Sequence, residues 1–125
     1  MHPVVDLQIE YSVITRGIEA EILPTCRELG IGITAYGVLS RGLLSGRWDP
    51  ARAGGGDFRA HSPRFQGENL AHNMTLVDAL AAIGEKRGAS PAQVAIWWVM
   101  SQGEDIVSVI GARRRDRLEI GRAHV

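Results

Sequence analysis

Two β-patterned stretches separated by one helical stripe constrain this chain more than any other feature. Val5, Leu7, Ile9 and Tyr11 alternate with Asp6, Gln8 and Glu10. Period two with frequent β-branching predicts a strand over Val4 to Tyr11. Pro3 stands at its entrance, where a missing N–H costs little. Ile18, Ile22, Cys26 and Leu29 then recur at spacings of four, four and three, which places them on one helix face. Gly30 is a natural stop, and Pro24 predicts a kink or a first turn that begins near Glu21. Ile31 to Tyr36 reads as a second strand directly after the helix. Strand, helix and strand with short joints form a βαβ unit, which implies parallel pairing.

Periodicity disappears from Gly37 to Gly67, a stretch holding Gly54-Gly55-Gly56, Pro50, Pro63 and scattered arginines. A loop of that length is usually functional or mobile. A second helix is predicted over Asn73 to Lys86, with Leu76, Leu80 and Ile83 on one face, Val77 beside them and Gly88 at its end. Ser90-Pro91-Ala92-Gln93 supplies an N-cap serine, proline at the first helical position and glutamine at the third, a capping box. Apolar Val94, Ile96, Trp97, Trp98, Val99 and Met100 surround that helix, so it should be largely buried and close by Gly103. Ile106 to Ile110 is a short apolar strand of the parallel kind. The order is strand, helix, strand, long loop, two helices, strand.

Composition narrows the class. Of 125 residues, 45% are apolar and 22% charged, with 14 basic side chains against 14 acidic ones. This excludes wholesale disorder, and a neutral balance gives no global field for nucleic acid or an anionic membrane. No apolar run approaches the roughly 20 residues of a membrane span, and the N-terminus lacks the pattern of a secretory signal. The one cysteine, Cys26, permits neither an intrachain disulfide nor a cysteine-based metal site. A reducing, cytoplasmic setting is expected.

Parallel α/β folds bind ligands at the carboxyl ends of their strands. The first strand end offers Gln8, Glu10, Tyr11 and Ser12; the second offers Tyr36 and Gly37 to Gly42. The third offers Gly111 and Ala112, then Arg113, Arg114, Arg115 and Arg117. Arginines where a helix should begin suit a phosphate, since the unpaired N–H groups there already favour an anion; a solvated basic run is the equal alternative. The Tyr36 ring lies open to a planar ligand or packs as a strand-end aromatic. Gln8 reads a ligand carboxamide or bonds a neighbouring backbone. His2, His61, His72 and His124 show no metal-ligand spacing, and neither a nucleophile elbow nor a Walker-type loop occurs. The residues point to a phosphorylated ligand above parallel strands and hold no complete catalytic set.

Several segments match a known family in order. His2-Pro3-Val4-Val5-Asp6-Leu7-Gln8-Ile9-Glu10-Tyr11-Ser12 resembles the sixth-strand segment of aldo-keto reductases. Glu28 to Gly46 is similar to the helix end, seventh strand and cofactor loop that follow. Asp57-Phe58-Arg59, Pro63-Arg64-Phe65 and Glu68-Asn69 resemble the next loop in the bacterial and potassium-channel β-subunit-like branch. Ser90-Pro91-Ala92-Gln93-Val94-Ala95 and Val109-Ile110-Gly111-Ala112-Arg113 complete the pattern.

The resemblance implies about strands 6 to 8 of a (β/α)8 TIM barrel, truncated at both ends, over residues 1–118. Residues 119–125 depart from the family pattern and are expected to be a non-native tail. It also implies NADP(H) as cofactor and carbonyl reduction by hydride transfer, with a small aldehyde or ketone as substrate in the full-length parent. Gln8 would then bond the nicotinamide carboxamide and Tyr36 would stack on its ring. Gly37, Val38, Leu39, Arg41 and Gly42 would line the pyrophosphate path. Gly111, Ala112, Arg113 and Arg117 would face the adenosine ribose and its 2′-phosphate. Gly37-Val38 replaces a Ser-Pro common in the family, and Ala112 replaces a common hydroxyl residue. The family's catalytic tyrosine, aspartate, lysine and histidine belong to the first half of the barrel, so no residue here is assigned a catalytic role and this fragment alone is expected to be inactive. Two alternatives remain: a non-catalytic, channel β-subunit-like NADP-binding subunit, and a TIM-barrel enzyme that binds a phosphorylated substrate.

Overall fold

The computed structural model describes residues 2–49, 58–112 and 115. Strand β1 (Asp6–Glu10) leads through a 3-10 turn, Gly17–Glu19, into helix α1 (Ile22–Glu28) and strand β2 (Gly32–Tyr36). Three more 3-10 turns, Ser40–Ser45, Phe58–His61 and Pro63–Phe65, precede helix α2 (Gly67–Glu85). Helix α3 (Pro91–Met100) and strand β3 (Ile106–Ser108) follow. The strands lie in the order β1-β2-β3, and both pairings are parallel, as the βαβ reading requires. The Glycine triplet 54–56, Pro50 and the tail 119–125 lie outside the described residues.

The register sorts side chains onto two faces, because successive strand residues point oppositely. Leu7, Ile33 and Ile106 align across the sheet, as do Ile9, Ala35 and Ser108. These face the helices and pack with Tyr11, Ile18, Leu23, Cys26, Val38, Ile96 and Val99. The other face aligns Gln8 with Thr34 and Val107, and Glu10 with Tyr36. No described element covers that face fully, so Val107 and Val109 are exposed although an all-apolar strand reads as buried on both sides. The β3 ladder is also shorter than the apolar run, ending at Ser108, although the Val109 N–H still donates to the Ala35 carbonyl at 2.8 Å.

Helix α1 departs from its sequence stripe. Ile18 is carried by the separate 3-10 turn, and Glu21 occupies the N-cap position of a helix that starts at Ile22, as the first turn near Glu21 expected from Pro24 requires. That break resets the phase: Leu23 and Cys26 turn inward, while Leu29 is 66% exposed and Ile22 lies outside the core. Pro24 is tolerated because its missing N–H falls in the first turn, where helical amides have no intrahelical acceptor.

Helix α2 begins at Gly67 rather than Asn73. Asn73 is a buried interior residue whose Nδ2 donates to the Arg64 carbonyl at 3.0 Å, tying the helix to the preceding turn. Helix α3 starts where its capping box places it: Gln93 N–H donates to Ser90 Oγ at 3.3 Å, and Ser90 N–H donates to Gln93 Oε1 at 2.9 Å. It contributes Ile96 and Val99 to the sheet core. Its Val94 and Ala95 enter a second cluster with Leu43, Leu44, Phe65, Val77 and Leu80. Trp97 and Met100 face outward, so the helix is not buried all round, and it ends at Met100, before Gly103.

Candidate functional site

The carboxyl ends of the three strands share one edge of the sheet because all three run parallel. Gln8 and Tyr36 project from the same open face on neighbouring strands, with Gln8 level with Thr34 and therefore one pleat below Tyr36. Both are exposed. Glu10 is the register partner of Tyr36, and its Oε1 accepts from Arg64 Nη1 at 2.8 Å and from Thr15 Oγ1 at 3.1 Å. Arg64 thereby fastens the turn before α2 to the tip of β1.

Tyr11 and Ser12, the other candidates at this strand end, turn into the interior. The Tyr11 hydroxyl donates to Glu19 at 2.7 Å, and burial first, then that carboxylate, pushes its pKa well above the ordinary phenol value. Arg16 holds the same carboxylate through two hydrogen bonds of 2.8 Å and lies over the Trp98 ring at 5.1 Å. This cluster braces the turn after β1 and leaves Tyr11 unsuited to giving up a proton.

The segment after β2 is built on left-handed backbone. Gly37, Ser40, Arg41, Gly42 and Gly46 all have positive φ. Val38 points into the core and is 1% exposed, so only its backbone can meet a ligand. Arg41 is exposed, and its carbonyl accepts from Arg59 Nη1 at 3.4 Å.

Beyond this segment opens a cleft of about 670 Å³, within the roughly 300–1,000 Å³ usual for small-molecule sites. Leu39, Gly42 and Ser45 form one wall, Ser90, Ala92 and Ile96 at the start of α3 another, and Ile110 with Gly111 the end after β3. Arg47, Trp48, Asp49 and Arg59 complete it. The Trp48 ring packs on Phe65 at 4.5 Å and lies beneath the Arg59 guanidinium at 4.9 Å. Its Nε1 is buried and has no hydrogen-bond partner among the described residues.

Of the sequence candidates, Leu39, Gly42 and Gly111 therefore line one cleft; Gln8 and Tyr36 share a face of the sheet and are not among the residues that line it. Gly37 packs against Glu10, and Ala112 is exposed beside Gly111. Arg113 and Arg117 lie outside the described residues. The arginines that do line the cleft, Arg47 and Arg59, were not among the sequence candidates. They fall in the aperiodic stretch, where their charge beside an aromatic residue and, for Arg59, the Asp57-Phe58-Arg59 resemblance offer the signal. Among the described residues no group of three histidine, cysteine or carboxylate side chains could hold a metal ion.

Residues 1–120 match the family model described as "Aldo/keto reductase family". This chain is an aldo/keto reductase family member. It is similar to "Probable aldo-keto reductase 1" of Glycine max, 42% identical over 120 residues, which are 95% of this chain and 34% of that protein. A glycerol dehydrogenase of Gluconobacter oxydans matches with a TM-score of 0.89 and 29% identity over 99% of this chain and 38% of that one. An aldo/keto reductase of Klebsiella pneumoniae, solved in complex with NADP and acetate, matches with a TM-score of 0.64 and 20% identity, covering 95% of this chain and 33% of that one; that likeness speaks to fold alone. The chain thus spans about a third of the length of these relatives, and its three parallel strands are a portion of the aldo-keto reductase barrel. No helix among the described residues is long and apolar enough to cross a membrane.

Proposed function

We propose that this chain forms the NADP(H)-binding portion of an aldo-keto reductase that reduces aldehydes and ketones to alcohols. The observation that carries the reading is the placement of Gln8 and Tyr36 on one open face of adjacent parallel strands, Tyr36 at the carboxyl end of its strand and Gln8 one pleat below. Gln8 presents an amide that pairs with a carboxamide, and Tyr36 presents a ring 45% exposed for stacking. The left-handed turn with Gly37 and Gly42 lets backbone approach a pyrophosphate closely, with Val38, Leu39 and Arg41 in the same segment.

The residues fit such a group in two further respects. The cleft carries Arg47 and Arg59, both suited to phosphate oxygens. Among the described residues no heavy atom lies within 4 Å of where a Cβ on Gly111 would stand, space beside Ala112 that would suit a ribose. Arg113 and Arg117 are proposed to meet the 2′-phosphate. When bound, the nicotinamide supplies the hydride; this chain's residues bind and orient. The proton donor is proposed to come from the part of the barrel that precedes these strands in the family. Cys26, free and buried, suits a reducing compartment, and the cytoplasm is the proposed setting.

The test is a fluorescence titration of the chain with NADPH and NADH. Tighter binding of NADPH is expected, weakened by Tyr36→Ala and Gln8→Ala, with the preference reduced by Arg113→Ala or Arg117→Ala. Equal affinity for sugar phosphates and NADPH would overturn the reading.

A further inference from the structure

The turn after β2 contains two non-glycine residues in the left-handed region, Ser40 at φ 47° and Arg41 at φ 58°, followed by Gly42 at φ 94°. Side chains disfavour that conformation because Cβ crowds the following carbonyl, so it persists only where its surroundings hold it. Local hydrogen bonds contribute: Ser40 N–H donates to Gly37 O at 2.7 Å, Gly42 N–H to Leu39 O at 2.9 Å and Leu44 N–H to Leu39 O at 3.2 Å. Contacts from elsewhere in the chain reach the turn too: Arg59 Nη1 donates to the Arg41 carbonyl at 3.4 Å, and Ser12 meets Ser40. Ser40 and Ser12 are both completely buried, and their hydroxyl oxygens are 3.1 Å apart.

The direction of that bond follows from what Ser12 already does. Its Oγ accepts from Thr15 N–H at 3.0 Å and from Ile14 N–H at 3.3 Å, which occupies both lone pairs. The hydroxyl hydrogen is what Ser12 has left to give, and Ser40 Oγ is its acceptor. A buried hydroxyl with its lone pairs taken and its hydrogen directed at one neighbour has little freedom to rotate.

We propose that Ser12 is a positioning residue, and that its hydrogen bond to Ser40 pins the left-handed Ser40–Gly42 turn in the shape that forms the near wall of the cleft. The pin joins the turn after β1, which follows the Gln8 strand, to the turn after β2, which follows Tyr36. It therefore fixes the spacing between the sheet face and the phosphate path. The pinning is a property of the unliganded chain; its consequence for ligand binding rests on the NADP(H) reading above.

Three variants test it: Ser12→Ala, Ser40→Ala and Ser40→Gly. Amide hydrogen exchange is measured at Gly42 and Leu44 in the turn, with Ile33 and Val109, whose amides belong to the sheet ladder, as internal reference. Loss of the hydroxyl bond in Ser12→Ala or Ser40→Ala is expected to speed exchange at Gly42 and Leu44 roughly five- to tenfold relative to the reference amides. The NADPH dissociation constant is expected to rise by a similar factor. Ser40→Gly loses the same hydroxyl but adopts positive φ freely, so it is expected to recover most of the slow exchange and most of the affinity. A general packing defect would instead treat alanine and glycine alike and speed the reference amides too.

Unchanged turn exchange in Ser12→Ala, or equal loosening in Ser40→Gly and Ser40→Ala, overturns the pin. If Ser12→Ala does not fold, the Ser40 pair decides alone. A parent chain that binds no NADPH would sink the cofactor reading, while the exchange series still decides the pin.

Discussion

Placing a methyl group on Gly37 probes the tip of the candidate site through two separable costs. Gly37 has φ +66°, where an alanine costs about 1–2 kcal/mol in backbone strain. The added Cβ would also stand 3.0 Å from Glu10 Cγ and 3.4 Å from its Cδ. Glu10 cannot yield freely, because Arg64 and Thr15 both hold its Oε1 and the two charged side chains are only 22% and 23% exposed. Shifting it weakens a charge-assisted hydrogen bond, which partial exposure discounts to about 1 kcal/mol. Gly37→Ala should therefore destabilise the chain by about 2–3 kcal/mol in urea unfolding followed by tryptophan fluorescence. In a Glu10→Ala background the crowding is gone and the cost should fall to the backbone part, about 1–2 kcal/mol. The double-mutant cycle should report about 1 kcal/mol of coupling. A cost of the same size in both backgrounds would refute the assignment of Glu10 as the obstacle.

Three more outcomes follow from the same geometry. Ser90→Ala removes one half of the capping box at the start of α3 and should cost about 1 kcal/mol by chemical denaturation, with little change for Ser90→Asp. Tyr11 is neutral in the fold and ionises there only well above its ordinary range, so folding stability is present below about pH 10 and lost as pH rises past it, where the unfolded chain alone ionises; thermal melts of Tyr11→Phe should lose that alkaline decline. Arg27 holds Asp105 through two hydrogen bonds, of 2.9 and 3.1 Å, and keeps its carboxyl below the usual range. Its stabilisation is thus present above the unfolded carboxylate range and lost as pH falls below that range through the lowered folded value, an acid-side loss that Asp105→Asn should reduce.

What the sequence discloses here is what local chemistry decides. The βαβ unit is legible because period two and short joints need no distant partner, and the α3 start is legible because Ser90 and Gln93 satisfy each other within one turn. The start of α1 is legible, since Pro24 places a first turn near Glu21, but its inward face is not, because the stripe from Ile18 to Leu29 runs across the break before Ile22. The early start of α2 is hidden for a related reason. Asn73 reads as a terminus by type, yet its amide serves the Arg64 carbonyl inside the helix. At the cleft, Arg47, Trp48 and Arg59 carry no periodic signal because their contacts are non-local: Trp48 rests on Phe65, and Arg59 reaches the Arg41 carbonyl. Gln8 and Tyr36 are legible from their strand positions, with roles implied by the family resemblance, and the register puts them on one face.

Helix α3 has a consequence of its own. It drives Ile96 and Val99 into one oily interior and Val94 and Ala95 into another, like a tenon seated in two mortises. Neither interior can loosen without slackening the rod they share, so the two should melt in a single step rather than in sequence. Ala92 and Ile96 of that rod also border the cleft. A molecule gripping there would press on the joint itself, and its occupancy should register as added thermal resilience across the whole chain.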